Sequence, residues 1–270
     1  MRFHPNKCKV LSVSQSRATL LDQLPFTKFY YSLNNIFLDY TDCEKDLGVF
    51  INSRMNWSEH CNKIYSKANG KLGLVKNTCH FTKNLNHKRQ LYLSLVRSQF
   101  EHCSVIWRPM CRSNIDRIES IQKRAVKWIF SELFASYTNE IYIIKCKQLN
   151  FLPLEHRFIL NDLIFLHKII YHLIPISLPS YLEFFQGSTR LRHCHLDHLC
   201  LVSNICPKTP ANLSTVNTRD SFANSFFYRA HLEWNKLPVD IRETESLPLF
   251  KSKVKTFIWN SFSPLLLLET

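Results

Sequence analysis

The stretch Leu85–Phe130, LNHKRQLYLSLVRSQFEHCSVIWRPMCRSNIDRIESIQKRAVKWIF, decides the fold, because it holds two amphipathic helical patterns on either side of a Trp-Arg-Pro corner. In its second half Ile115, Ile118, Ala125, Val126 and Ile129 fall on one side of an α-helix, while Arg117, Lys123, Arg124 and Lys127 gather on the other. One face packs and the other is basic. In its first half Leu91, Leu95 and Gln99, with Tyr92 and Val96 beside them, mark a packing stripe, and Lys88, Arg89 and Arg97 add charge near it. Pro109 disfavours a helical backbone at Arg108, so the chain turns there, and Ser113 or Asn114 is placed to cap the next helix.

Upstream, Asn56 or Ser58 opens a helix over Trp57–Asn77, with Glu59 in its first turn. Ile64, Ala68, Leu72 and Val75 make its buried stripe, leaving Lys63, Lys67, Lys71 and Lys76 for solvent or phosphate. The opening block is β-rich. Residues Cys8–Ser14 alternate as a strand, Asn34-Asn35 suits a hairpin turn, and Lys45–Asn52 predicts a strand in which Gly48 marks a bulge or a close backbone approach. Asp39 and Asp42 are read as turn residues.

Downstream, the pattern predicts a short helix over Tyr137–Leu149 and a long one over Leu154–Leu173, with His167 and His172 as packing or surface residues. Prolines 175, 179, 207 and 210 break periodicity through a loop-rich segment near 175–218. Helices over Arg219–Trp234 and Leu247–Phe262 close the chain, the first stopped by Pro238 and the second carrying Phe250, Val254, Phe257 and Ile258 inward. The expected fold is mainly α with a small N-terminal β-rich segment, α+β overall.

With 45% hydrophobic residues in 270, the chain can bury a sizeable core and is no polar disordered tail. Its 35 Lys and Arg exceed 21 Asp and Glu, a formal charge of +14, which favours a polyanionic partner, nucleic acid ahead of an anionic membrane. No apolar run reaches membrane-spanning length, and a cytoplasmic or nuclear location is expected. Ten cysteines are scattered without a CxxC pair and read as reduced thiols. His193, Cys194, His195, His198, Cys200 and Cys206 are zinc-type donors, but their spacing matches no knuckle or finger, so no metal site is expected. HExxH, a nucleophile triad and a phosphate-cradling glycine loop are all missing from the text.

Leu91-Tyr92, Leu95-Val96-Arg97, Phe100-Glu101-His102, Trp107-Arg108-Pro109 and Ile118-Glu119 to Ala125 together resemble the run "LY-x-x-LVRP-x-LEY…W-x-P…LE-x-VQ-x-R" of reverse transcriptases from LINE-type (non-LTR) retrotransposons. That run follows the catalytic palm and lies in the thumb. Further matches fall in the family's order on both sides: Lys45-Asp46-Leu47-Gly48-Val49 and His60 before it, Leu154-Glu155-His156-Arg157 and Asp162-Leu163 after it, then Trp234 to Pro238 and Phe250-Lys251. The resemblance covers most of the chain.

The resemblance implies a palm remnant over residues 1–52, a helical thumb-like region over 53–130 and a mainly helical C-terminal region over 131–270. Phe3 to Cys8 would be the family's lysine-bearing turn, with Lys7 at the lysine position, and Leu47, Gly48 and Val49 the primer-grip-like segment. Polymerisation needs carboxylates holding two Mg²⁺. Tyr40-Thr41-Asp42-Cys43 puts cysteine where the second aspartate belongs and follows the lysine turn rather than preceding it. No catalytic residue is therefore assigned, and Mg²⁺ is expected only with an upstream palm. The implied activity is binding of RNA or an RNA–DNA duplex, with Lys63, Lys67, Arg97, Arg117, Lys123, Arg124 and Lys127 on phosphates. The alternative is a decayed or domesticated copy whose amphipathic helices form a protein-interaction module.

Overall fold

Ile64, Ala68, Leu72 and Val75 do line the buried side of a helix, α1, Ser58–Thr78. It belongs to a computed structural model that describes residues 4, 8–13, 30–131, 138–184, 199–203 and 225–262. The helical text from Leu85 opens at Asn84, whose side-chain oxygen accepts from the backbone N–H of Asn86 and His87 at 2.9 and 3.2 Å. Helix α2, Leu85–Leu91, runs on into a π-helical segment, Tyr92–Arg97, and then α3, Ser98–Glu101. The wider π turn brings residues five apart toward one side. Tyr92, Val96, Phe100 and Arg97 therefore turn inward, while Leu95 is 41% exposed. The expected stripe of Leu91, Leu95 and Gln99 is off by one position for that reason.

Cys103, at φ +51, reverses the chain into α4, Ser104–Trp107, and Arg108, at ψ 121, takes the non-helical backbone that Pro109 favours. Helix α5, Arg112–Phe130, begins at Cys111, two residues before the expected cap, and ends at Ser131 in a left-handed conformation. Then come α6, Asn139–Gln148, capped by Thr138 Oγ1, and α7, Leu154–Ile170. Among the described residues the chain ends with α8, Phe226–Asn235, α9, Val239–Arg242, and α10, Leu247–Phe262.

The strands are short and paired in twos. β1, Lys9–Leu11, lies parallel to β4, Asp39–Thr41, which makes Asp39 a strand residue rather than a turn. Asn34 and Asn35, at φ +53 and +63, join β2, Ser32–Leu33, to β3, Ile36–Phe37, as the Asn-Asn pair foretells. β5, Cys43–Asp46, and β6, Val49–Asn52, form an antiparallel hairpin with Asp46 opposite Val49. Leu47 and Gly48, at φ +43 and +92, make its turn, so Gly48 is a turn glycine and not a bulge inside a strand. Within the proline-broken segment, β7, Leu182–Phe184, pairs with β8, Leu201–Ser203. Lys7 and most of the His/Cys cluster lie outside the described residues.

Among the described residues two apolar clusters hold the helices. The first gathers Ile64, Ala68, Tyr92, Val96, Phe100, Trp107, Ile118, Ile121 and Ala125, and continues through Tyr142, Cys146 and Phe151 to Phe158. Residue 130 is thus no packing boundary. The second joins Leu160, Leu163 and Leu166 of α7 to Ala230, Trp234, Phe250 and Val254. Helix α7 serves both, which ties the two halves together. His167 sits in the second cluster, stacked on Phe250 at 4.1 Å and hydrogen-bonded through Nε2 to Thr244 O at 2.8 Å.

Polar side chains thread the first cluster. Gln122 accepts from Tyr92 Oη at 2.9 Å and donates to Tyr142 Oη and Leu152 O at 2.9 and 3.0 Å. Tyr142 donates to Glu119, whose other oxygen accepts Leu154 N–H at 2.8 Å. Burial raises the Glu119 pKa against these hydrogen bonds, which lower it.

Candidate nucleic-acid interface

Helices α1 and α5 lie side by side, and their contacts advance in the same direction. Asn114 Nδ2 reaches Ser58 Oγ at 3.5 Å, and one turn on Arg117 donates to Asn62 Oδ1 and lies 4.3 Å from the Tyr65 ring centre. Further along, Arg124 is close enough to Lys76 to help hold its pKa below the usual lysine value, after burial as the larger cause. These contacts fix the α5 side of α1 as Asn62, Tyr65 and Lys76. Helical spacing puts Lys63 and Lys67 on the far flank. There Lys63 pairs with Glu59 at 2.6 Å and lies 3.7 Å from the Phe50 ring centre, on β6.

Between the two cationic flanks run Ser66, Gly70, Gly73 and Asn77, at helical steps on the outer face and all exposed. A Cβ added at Gly70 or Gly73 would meet nothing within 4 Å. Each glycine costs an exposed helix about 1 kcal/mol relative to alanine. What they provide is bare backbone, open to close approach, between Lys63 and Lys67 on one side and Arg117 and Arg124 on the other. Sequence reasoning found the lysines and missed this track, although Ser66-Gly70-Gly73-Asn77 repeats at three and four residues opposite the apolar stripe.

The structure divides the seven expected phosphate-binding residues. Lys63, Lys67, Arg117 and Arg124 border the track. Lys127, half-buried, lies one turn beyond Arg124 on α5. Lys123 turns toward α6, donating to Asn139 Oδ1 at 2.8 Å. Arg97 leaves the set: it is 5% exposed and donates to Glu101 Oε1 at 2.9 Å, because the π segment rotates it inward. Its charge is spent inside the fold.

Leu47, Gly48 and Val49, the residues expected to form a primer-grip-like segment, sit at a well-anchored place. His102 Nε2 donates to Leu47 O at 2.9 Å, and a Cβ on Gly48 would stand 3.1 Å from the same nitrogen. On β6, Phe50 N–H donates to His60 Nδ1 at 3.1 Å, and Val49 is buried in the first cluster. Leu47 itself is 86% exposed, so the hairpin presents its tip to solvent from a fixed base.

Several residues that carry the resemblance bond or pack against partners far away in the sequence, some of them residues that carry it too. Glu101 takes Arg157 Nε and Nη2 at 2.9 and 3.2 Å. Buried Asp162 takes Arg108 Nη1 and Arg229 Nε, both at 2.9 Å. His60 packs on Trp107 with ring centres 4.8 Å apart. Asn235 clasps the backbone of Leu201, accepting its N–H at 2.9 Å and donating to its carbonyl at 2.8 Å.

Among the described residues no group of three or more His, Cys, Asp or Glu is placed to hold a metal ion. Cys200, the one described member of the His/Cys cluster, is buried and takes Arg242 Nη1 at 2.7 Å. Among the described residues no helix is long and apolar enough to cross a membrane. Compared with known families, curated proteins and solved structures, the chain matches none.

Proposed function

We propose that this chain is the palm end, thumb and following helical region of a LINE-type reverse transcriptase, and that it binds RNA or an RNA–DNA duplex along α1 and α5. The observation that carries the binding reading is the open backbone track on α1, with Lys63 and Lys67 on one flank and Arg117 and Arg124 on the other. A phosphodiester strand can approach bare backbone closely and be neutralised from both sides, without any base being read. The order of the motifs supports the family reading, and so does their pairing as Glu101 with Arg157, Arg108 with Asp162 and His102 with Leu47. Tyr40-Thr41-Asp42-Cys43 has cysteine where the family's second aspartate belongs, so binding is the activity proposed for this chain.

The test is fluorescence anisotropy of the full chain with a labelled RNA–DNA primer–template at several salt concentrations. Saturable binding that weakens steeply with salt is expected. Absence of binding at low salt would overturn the proposal. It would leave the protein-interaction reading, which one observation favours: Tyr30 and Phe37, edge-to-face on the β2–β3 hairpin, are 76% and 69% exposed.

A further inference from the structure

Helix α10 packs along α7, and the seam between them opens into two adjoining recesses. The larger, about 430 Å³, is bordered by Arg157, Asn161, Lys251, Ser252 and Lys255. The smaller, about 240 Å³, shares Arg157 and Lys255 and adds Arg97, Glu101 and Asn150. Among the described residues four cations thus face one carboxylate. Both oxygens of Glu101 are already taken, Oε1 by Arg97 Nε and Arg157 Nε and Oε2 by Arg157 Nη2. Among the described residues Lys255 donates to the backbone and side-chain oxygens of Asn150 alone. Lys251, exposed, has no hydrogen-bond or ion-pair partner among the described residues.

Such an arrangement holds like charges together without enough anions to balance them. Its cost registers at Lys255, whose pKa is lowered first by burial and then by Arg157, Arg97 and Arg89. A bound anion would relieve that repulsion. The donor set is of the kind oxyanions take: a guanidinium, two ammonium groups and the Ser252 hydroxyl, against the apolar walls of Leu160 and Ile164.

We propose that the α7–α10 seam is a phosphate-binding site, in which Lys251, Lys255 and Arg157 take the oxygens of one phosphate group. It shares no residue with the α1–α5 track and stands whether or not that track binds nucleic acid. The phosphate could be free or part of a phosphodiester backbone, and one experiment separates the two sources.

The full chain is titrated calorimetrically with inorganic pyrophosphate. A labelled single-stranded oligothymidylate is titrated separately into a chain carrying Lys63→Ala, Lys67→Ala, Arg117→Ala, Arg124→Ala and Lys127→Ala, so that both cationic flanks of the α1–α5 track are removed. Each titration is repeated with Lys251→Glu, Lys251→Arg and, as a control of equal charge change elsewhere on the surface, Lys83→Glu. At least one probe is expected to bind saturably, to lose about tenfold or more in affinity with Lys251→Glu, and to be unaffected by Lys83→Glu and nearly unaffected by Lys251→Arg. Pyrophosphate responding alone identifies a free phosphate, and the oligonucleotide responding alone identifies a backbone phosphate. Saturable binding of neither probe, or equal weakening by Lys251→Glu and Lys83→Glu, overturns the site.

Discussion

His102 Nε2 donates a hydrogen bond to the carbonyl oxygen of Leu47 at 2.9 Å, pinning the tip of the β5–β6 hairpin to the corner between α3 and α4. The carbonyl can only accept, so the imidazole carries its proton on Nε2. His102→Ala should cost about 1 kcal/mol of stability. Gly48→Ala should cost about 1–3 kcal/mol, because φ +92 is strained for an L side chain and the new Cβ crowds His102. Leu47→Asn should instead stabilise by a few tenths of a kcal/mol or more, since Asn-Gly suits this turn and the leucine side chain touches little. Urea midpoints of the three variants check this, and a neutral Gly48→Ala would contradict it.

Asp162 is fully buried between Arg108 of the Trp-Arg-Pro corner and Arg229 of α8. Removing its charge leaves two largely buried guanidinium groups without their counterion. Asp162→Asn should therefore destabilise by about 3–5 kcal/mol, measured by urea denaturation. A loss under 1 kcal/mol, on the order of a surface pair, would show that water reaches the cluster.

Gln122 holds three buried polar partners at once. In Gln122→Leu, Tyr92 Oη and Leu152 O lose theirs in a dry core, and a loss of about 2–3 kcal/mol is expected. Adding Tyr92→Phe to that variant should recover part of the loss, because the orphaned hydroxyl goes with it. A double variant less stable than Gln122→Leu by the full cost of Tyr92→Phe alone would contradict the coupling.

His60 is buried against Trp107 with Nδ1 accepting Phe50 N–H, and its pKa is lowered to about 4, by burial first and then by His102 and Lys63. Its folded value lies below the unfolded one near 6.5, so its stabilising share is intact above pH 6.5 and is lost as pH falls toward 4. That share is on the order of 3 kcal/mol. His156, His167 and His231 are lowered in the same direction and add to the acid sensitivity. Unfolding midpoints at pH 7 and 4.5 should therefore differ less for His60→Gln than for the native chain. Equal differences would show that His60 does not titrate in this window.

Helix positions were legible because burial repeats where the pattern says it must: Ile64, Ala68, Leu72 and Val75 on α1, Ile118, Ala125, Val126 and Ile129 on α5, Phe250 and Val254 on α10. The Asn34-Asn35 turn was legible from conformational tolerance alone. The π segment was not, since Tyr92–Arg97 carries no composition that distinguishes it from an ordinary helix, and its wider turn moved both Leu95 and Arg97 from their expected faces. Lys123 and Arg117 looked equivalent in sequence, yet the partner helix separates them, α6 for one and α1 for the other. The Glu119–Gln122–Tyr92–Tyr142 network escaped notice because burial of polar residues depends on partners as far as 30 residues away.

The central claim, that the basic surface of α1 and α5 binds a nucleic-acid backbone, is tested most directly by the salt dependence of affinity. The native chain and the Arg117→Ala, Arg124→Ala, Lys127→Ala variant are titrated by anisotropy against one RNA–DNA primer–template over a range of salt. The account predicts weaker binding by the variant and a log–log slope shallower by about two to three, one counterion per lost phosphate contact. Identical affinity and slope in the two proteins would contradict it.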